Sequence, residues 1–165
     1  MTRVAASEWR PECRKDMKNP IKNNLVIELH VPDLDTVRSF YSKLGFEVSM
    51  NNKLNEKELG YLTMTREDKL GNTMLNFYGG NERVYNQSFF KQFPRDTKRG
   101  YATEITMTTS NIDEIYRAAS TRLRKHIVRE LKELEDHGHI WKDFRMVDPF
   151  GFYLRFTELI DWGQK

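Results

Sequence analysis

The sequence predicts an α+β fold made of two tandem β-α-β-β-β modules, and three observations support this. The chain of 165 residues is 38% hydrophobic and 31% charged, which suits one soluble domain or two small ones that share a core. Apolar residues alternate in short runs typical of strands, and they recur at helical spacing in two segments. The same order of patterns occurs twice along the chain.

The first module is predicted over residues 24–80. The run LVIELHV ends at Pro32 and predicts a strand over 25–31, because proline cannot donate to a sheet. Asp33 can cap the helix LDTVRSFYSKLG, and Gly45 marks the end of that helix. Polar tracts then separate three short predicted strands, over 46–50, 60–65 and 73–78.

The second module is predicted over residues 101–160, after a connector over 81–100 that has a possible short helix at 85–93. Asn111 can cap the helix IDEIYRAASTRL, as Asp33 caps the first one. Aligning these two caps gives an offset of 78 residues and places VIELHVPD on EITMTTSN without a gap. The strands of this module are predicted at 101–109, 127–134, 140–147 and 152–158.

Composition and charge exclude several classes of protein. Residues 1–23 lack apolar periodicity, which predicts a disordered leader or an alternative translation start at Met17. Residues 161–165 are predicted to form a tail. No apolar stretch is long enough for a membrane span or a signal peptide, so we expect a cytoplasmic protein without a membrane partner. Residues 25–165 hold 21 basic and 21 acidic residues, which argues against nucleic-acid binding.

Two segments resemble one known family. LVIELHVPDLDTVRSFYSKLGFEV and, much later, KDFRMVDPFGFYLRF resemble the vicinal oxygen chelate superfamily, which includes glyoxalase I, bleomycin resistance proteins, fosfomycin resistance enzymes and extradiol dioxygenases. The resemblance covers about residues 24–160. It implies the glyoxalase/bleomycin resistance fold, in which curved sheets surround a cleft that a second subunit commonly completes. We therefore expect a homodimer.

The resemblance also implies four positions for metal ligands. Enzymatic branches of the superfamily hold a divalent metal with one residue from the first strand and one from the last strand of each module. The matching residues here are Val26, Asn76, Glu104 and Arg155. Valine has no donor atom and arginine stays cationic, so this set does not fit a metal. Either a Glu104–Arg155 ion pair replaces the metal, or Arg155 is partly free and receives an anionic group of a ligand.

A displaced metal site is the alternative. Glu28 and His30 share the face of Val26 on the first strand, because side chains two residues apart point the same way. With Glu104 they could hold a divalent metal or act as a general base with its orienting partner. The simpler interpretation is that they line a wet cavity, where polar side chains satisfy one another.

Aromatic residues on predicted strands complete the candidate site. Tyr61, Tyr101 and Trp141 could line the cavity, where flat rings with polar tips suit a planar ligand. We therefore predict a dimer that binds a small molecule, is not an enzyme and uses no cofactor. A metal-dependent lyase or isomerase of the glyoxalase type, using Glu28, His30 and Glu104, is the alternative. The predicted ligand-binding residues are Glu28, His30, Tyr61, Asn76, Tyr101, Glu104, Trp141 and Arg155.

Overall fold

The computed structural model describes residues 26–55, 58–79, 85–94, 96–97, 99–100 and 102–161. The predicted leader and Tyr101 lie outside the described residues. Two four-stranded mixed sheets and two α-helices follow one another in the predicted order. No helix in these described ranges combines the length and the apolar character that crossing a membrane requires.

The first module forms the first sheet. Its elements are β1 (Ile27–Val31), α1 (Leu34–Tyr41), β2 (Glu47–Asn55), β3 (Glu58–Arg66) and β4 (Thr73–Gly79). The strand order is β1-β4-β3-β2. β1 and β4 run parallel, and the two other pairs are antiparallel.

The second module repeats this arrangement in the second sheet. Its elements are β5 (Glu104–Thr108), α2 (Ile112–Arg122), β6 (Ile127–Asp136), β7 (His139–Val147) and β8 (Tyr153–Asp161). The strand order is β5-β8-β7-β6, and again the first and last strands of the module pair in parallel.

Both helices begin where the sequence places their caps. The Asp33 carboxylate accepts hydrogen bonds from the backbone N–H groups of Asp35 and Thr36, at 3.0 and 3.1 Å. The Asn111 side chain accepts from the backbone N–H of Glu114 at 3.3 Å. These bonds satisfy donors that the first helical turn leaves free, and the equivalent roles of the two caps confirm the repeat.

One face of each sheet is buried against the helices. Apolar side chains occupy alternate positions of three strands in each sheet, as a half-buried strand requires. In the first sheet they are Leu29, Val31, Leu62, Met64, Leu75 and Phe77, and in the second they are Ile105, Met107, Phe144, Met146, Leu154 and Phe156. The opposite faces are polar and hold the candidate site.

The modules meet on the side of the helices. The buried Tyr41 hydroxyl of α1 donates to the Asp148 carboxylate in the turn before β8, at 3.0 Å. Arg66 at the end of β3 donates to the Thr109 hydroxyl at 2.9 Å and pairs with Asp68 at 3.0 Å. These contacts join the modules into one core and leave the polar faces on the outer sides.

Some predicted boundaries were wrong. β2 and β3 extend beyond the predicted 46–50 and 60–65, because the two strands pair along the polar tract that separates them. The strand predicted at 101–109 covers only Glu104–Thr108, since Ala102 has a positive φ of 59° that interrupts an extended chain. Within the possible helix at 85–93 the structure has a 3₁₀ helix at Phe90–Gln92.

Candidate functional site

The polar side of each sheet carries the candidate residues. We call the side of the first sheet that faces away from α1 the first polar face, and it presents Glu28, His30, Tyr61, Thr63, Asn76 and Tyr78. The equivalent side of the second sheet is the second polar face, and it presents Glu104, Thr106, Trp141, Asp143, Arg145, Tyr153 and Arg155. Successive side chains of a strand point to opposite sides of the sheet, and this alternation determines which residues lie on each polar face.

A buried carboxylate lies at the centre of the second polar face. The Asp143 side chain has no exposed surface, and its Oδ2 atom lies 2.7 Å from Nη2 of Arg155. Arg145 and Arg129 approach the same carboxylate at 3.7 and 3.9 Å. The antiparallel pairing of β7 with β8 puts Arg145 directly opposite Arg155. Three guanidinium groups therefore surround one carboxylate.

A second carboxylate borders this group. The Glu104 side chain is 34% exposed and lies 3.6 Å from both Arg145 and Arg155. We call these five residues the arginine cluster: Arg129, Arg145, Arg155, Asp143 and Glu104. A hydrogen bond with Tyr153, and the charges of the two carboxylates, raise the pKa of Arg145. With three cations and two anions the cluster carries a net charge of +1.

Several donors in the cluster are unpaired. The Nε atoms of Arg145 and Arg155 are buried and have no hydrogen-bond partner, and the two oxygens of Asp143 contact the arginines only as ion pairs. Trp141 lies two residues before Asp143 on the same face, and its indole Nε1 is also buried without a hydrogen-bond partner. Buried donors without partners are uncommon in folded proteins, and they mark places where a bound group can be received.

Hydrogen bonds between side chains dominate the first polar face. The Tyr61 hydroxyl donates to Glu28 Oε1 at 2.8 Å, and the Thr63 hydroxyl donates to Asn76 Oδ1 at 2.9 Å. Burial and the hydrogen bond to Glu28 raise the pKa of Tyr61 well above its usual value. Tyr61 is therefore a neutral donor at every physiological pH.

The connector covers one end of the first polar face. The Phe90 ring stacks on the His30 imidazole at 4.9 Å, and Tyr85 meets that ring edge-on at 5.2 Å. Arg99 donates from Nε to the backbone oxygen of His30 at 3.0 Å. Burial, followed by the charge of Arg99, lowers the pKa of His30. His30 is therefore a neutral, aromatic-packed side chain.

The four positions that match the family's ligands offer few donor atoms for a metal ion. The expected ion pair between Glu104 and Arg155 is present. Val26 is 46% exposed, and Asn76 accepts from Thr63 within the first sheet. One carboxylate paired with two arginines is a poor donor set for a divalent cation, which needs several lone pairs aimed at one point.

The displaced metal set is divided between the two sheets. Glu28 and His30 share the first polar face, as predicted, whereas Glu104 lies on the second polar face and pairs with arginines. In the ranges that the structure describes, no group of three or more His, Cys, Asp and Glu side chains is placed to hold a metal ion. A metal site that uses Glu28, His30 and Glu104 stays a prediction.

Sequence reasoning missed Asp143, Arg145 and Arg129. A signal for the first two was present, because they alternate along KDFRMV and so share one face of a strand beside Arg155. Arg129 lies where the pairing of β6 with β7 is irregular, so a simple alternation rule does not place it. The sequence did place Tyr61 and Trp141 on strands correctly, and both belong to the polar faces.

A groove of about 580 Å³ lies away from both polar faces. It runs between α2 and the 3₁₀ helix Ser42–Leu44, and its walls include Lys43, Arg66 and Arg117. None of the predicted site residues lines it.

Comparison with solved structures identifies the fold as the one seen in glyoxalase/bleomycin resistance proteins, which confirms the expected fold class. TioX from Micromonospora sp. ML1 is similar with a TM-score of 0.56 at 15% identity, covering 86% of this chain and 100% of that one. A glyoxalase/bleomycin resistance protein/dioxygenase from Alicyclobacillus acidocaldarius has a TM-score of 0.52 at 22% identity, over 88% of this chain and 96% of that one.

A bleomycin resistance determinant encoded on the transposon Tn5 has a TM-score of 0.50 at 20% identity, over 82% of this chain and 97% of that one. No family model and no curated protein matches the sequence. At these identities the likeness concerns the fold, and the function has to be argued from the site.

Proposed function

We propose that this protein binds a small organic molecule without a metal ion. The binding cleft forms where the first polar face of one copy meets the second polar face of another. One observation carries the proposal: the Glu104 carboxylate pairs with Arg145 and Arg155, each at 3.6 Å, at the position where enzymatic relatives would place a metal ligand.

Charge opposes a metal at this position. A guanidinium group cannot lose its proton in any useful pH range, so Arg145 and Arg155 repel a divalent cation permanently. A metal would also have to displace two ion pairs from Glu104. Binding of an organic molecule requires neither step.

The location of the polar faces supports the proposed dimer. The modules of one chain pack together through Tyr41, Asp148 and Arg66 on the helix side, which leaves both polar faces directed outward. Each face carries partly buried aromatic side chains, among them Tyr61 and Trp141, together with ordered polar groups. Glu28 on the first polar face has the opposite charge to the arginine cluster, so a contact between opposite faces of two copies would favour bringing Glu28 near Arg145 and Arg155.

The aromatic side chains suggest the kind of ligand. Tyr61 and Trp141 offer flat apolar rings with polar tips, a combination that suits a planar molecule in a cleft. A bleomycin resistance determinant shares the fold, which agrees with a role in holding a small molecule.

The test is a fluorescence titration with N-phenyl-1-naphthylamine, an uncharged aromatic probe. We expect saturable binding that is unchanged after exhaustive dialysis against EDTA. Loss of binding on chelation, with recovery on adding Zn²⁺, Ni²⁺, Mn²⁺ or Fe²⁺, would support the metal-dependent lyase or isomerase instead. Failure of the wild-type protein to bind the probe would refute the proposed function.

Sedimentation over a dilution series tests the assembly. A chain of 19.7 kDa should sediment as a dimer, and dilution to the monomer should release the probe. A monomer that binds the probe with undiminished affinity would show that the cleft does not need a second copy.

A further inference from the structure

The arginine cluster has more hydrogen-bond donors than its own carboxylates can use. Each guanidinium group carries five N–H donors, whereas each carboxylate offers about four lone-pair sites. The Nε atoms of Arg145 and Arg155 are buried without a hydrogen-bond partner, and Asp143 meets these two arginines through ion pairs and not through hydrogen bonds. One further anionic group would neutralise the net charge of +1 and accept hydrogen bonds from part of the excess donors.

The cluster is also fixed in position before a ligand arrives. Asp143 lies beneath the arginines with no exposed surface, while the side chains of Arg145 and Arg155 are each 23% exposed on the open side. Glu104 adds a second contact to each of these two arginines. A pair of guanidinium groups held in this way can form parallel hydrogen bonds to the oxygens of one anion with little loss of entropy.

An aromatic surface adjoins the cluster. Trp141 lies two residues before Asp143 on β7, so its ring is on the same face. Its buried Nε1 donor is unpaired, as are the two arginine Nε atoms. A ligand could therefore place a ring against Trp141 and an acidic group against the arginines.

We propose that the second polar face recognises an aromatic anion, and that Arg145 and Arg155 bind its carboxylate, phosphate or sulfonate group. This inference rests on the proposed function and adds the chemical class of the ligand. Arg145 and Arg155 are binding residues in this account, and Asp143 and Glu104 position them.

Two fluorescent probes that differ by one group provide the test. 8-Anilino-1-naphthalenesulfonate has the ring system of N-phenyl-1-naphthylamine plus a sulfonate. The wild-type dimer should bind the sulfonate probe more tightly than the uncharged one. Benzoate and phenyl phosphate should displace the sulfonate probe, and their relative potency identifies the preferred acidic group. Equal displacement by uncharged benzyl alcohol would overturn the inference.

Two variants at the cluster give effects of opposite sign. Arg145→Gln should weaken binding of the sulfonate probe about tenfold or more and leave the uncharged probe unaffected. Glu104→Gln keeps a carbonyl oxygen that can still accept from the arginines but removes the negative charge that competes with the ligand, so it should tighten binding of the sulfonate probe, a result that a loss of structure cannot produce. Arg117→Gln, which changes an exposed arginine of α2 in the distant groove, is the matched control and should change neither affinity.

The outcomes separate the two proposals. If both probes bind and neither cluster variant changes their ratio, the anion site is wrong and the proposed function stands. If the wild type binds neither probe, the proposed function is wrong, and the anion site falls with it. Should Arg145→Gln fail to fold by circular dichroism, the tightening expected in Glu104→Gln decides the question.

Discussion

Replacing Asp143 with asparagine should destabilise the protein strongly. The substitution keeps the shape of the side chain and removes one buried charge from beneath three arginines. At the 2.7 Å separation of Asp143 and Arg155, two unit charges attract by about 6 kcal/mol at an effective dielectric constant of about 20. The cost of taking the carboxylate out of water offsets part of this attraction. Because removal of one partner leaves the other charges uncompensated, we expect a loss of about 3 kcal/mol.

Urea denaturation at a fixed protein concentration measures this loss, since dimerisation would otherwise change the apparent stability. In a thermal scan the same change should lower Tm by about 6–12 °C for a chain of this size. Glu104→Gln is the matched control, because Glu104 meets two of the same arginines at 3.6 Å but is 34% exposed. Its loss should stay below about 1 kcal/mol. If Asp143→Asn lowers the free energy of unfolding no more than Glu104→Gln does, the burial of Asp143 is not what stabilises the cluster, and the reasoning is refuted.

Three further predictions concern stability and use urea denaturation. Tyr41→Phe should cost about 1–2 kcal/mol, because it leaves one oxygen of buried Asp148 without its donor, and an unchanged midpoint would contradict the contact. Gly79→Ala should cost about 3 kcal/mol or more, since a Cβ there would lie 2.3 Å from a backbone oxygen. Gly71→Ala, with a similar φ and open space, should cost only about 1–2 kcal/mol, and equal losses would refute the steric argument. Burial opposes ionisation of Asp68, but hydrogen bonds from Leu70, Thr109 and Ser110 outweigh it and hold the pKa of Asp68 below its usual range. The stabilisation from Asp68 is therefore complete above its ordinary pKa of 3.8 and is lost as the pH falls below that value, so the advantage of wild type over Asp68→Asn should shrink in acid and not grow.

The order of elements follows from local patterns in the sequence. Asp33 and Asn111 mark the two helix starts because a cap needs only neighbours in the chain. The length of β2 was not predictable in this way. Its polar residues have no alternation, and they become a strand only by pairing with β3. Such pairing is a tertiary effect that overrides local preference.

The candidate site was predictable to a similar extent. The ligand positions implied by the family resemblance placed Glu104 near Arg155, and period-2 alternation placed Glu28 beside His30 on one face. Arg145 required the register between β7 and β8, which no single strand reveals. The packing of Phe90 on His30 depends on the path of the connector, which carries no periodic signal.

Metal analysis of the purified protein tests the central claim most directly. We propose that the guanidinium groups of Arg145 and Arg155 occupy the place where relatives keep metal ligands. Protein purified without chelator, and then challenged with Zn²⁺, Ni²⁺, Mn²⁺ or Fe²⁺ and desalted, should contain no stoichiometric metal by mass spectrometry. A divalent ion retained in proportion to chains, and lost when Glu28, His30 or Glu104 is replaced by alanine, would contradict the account.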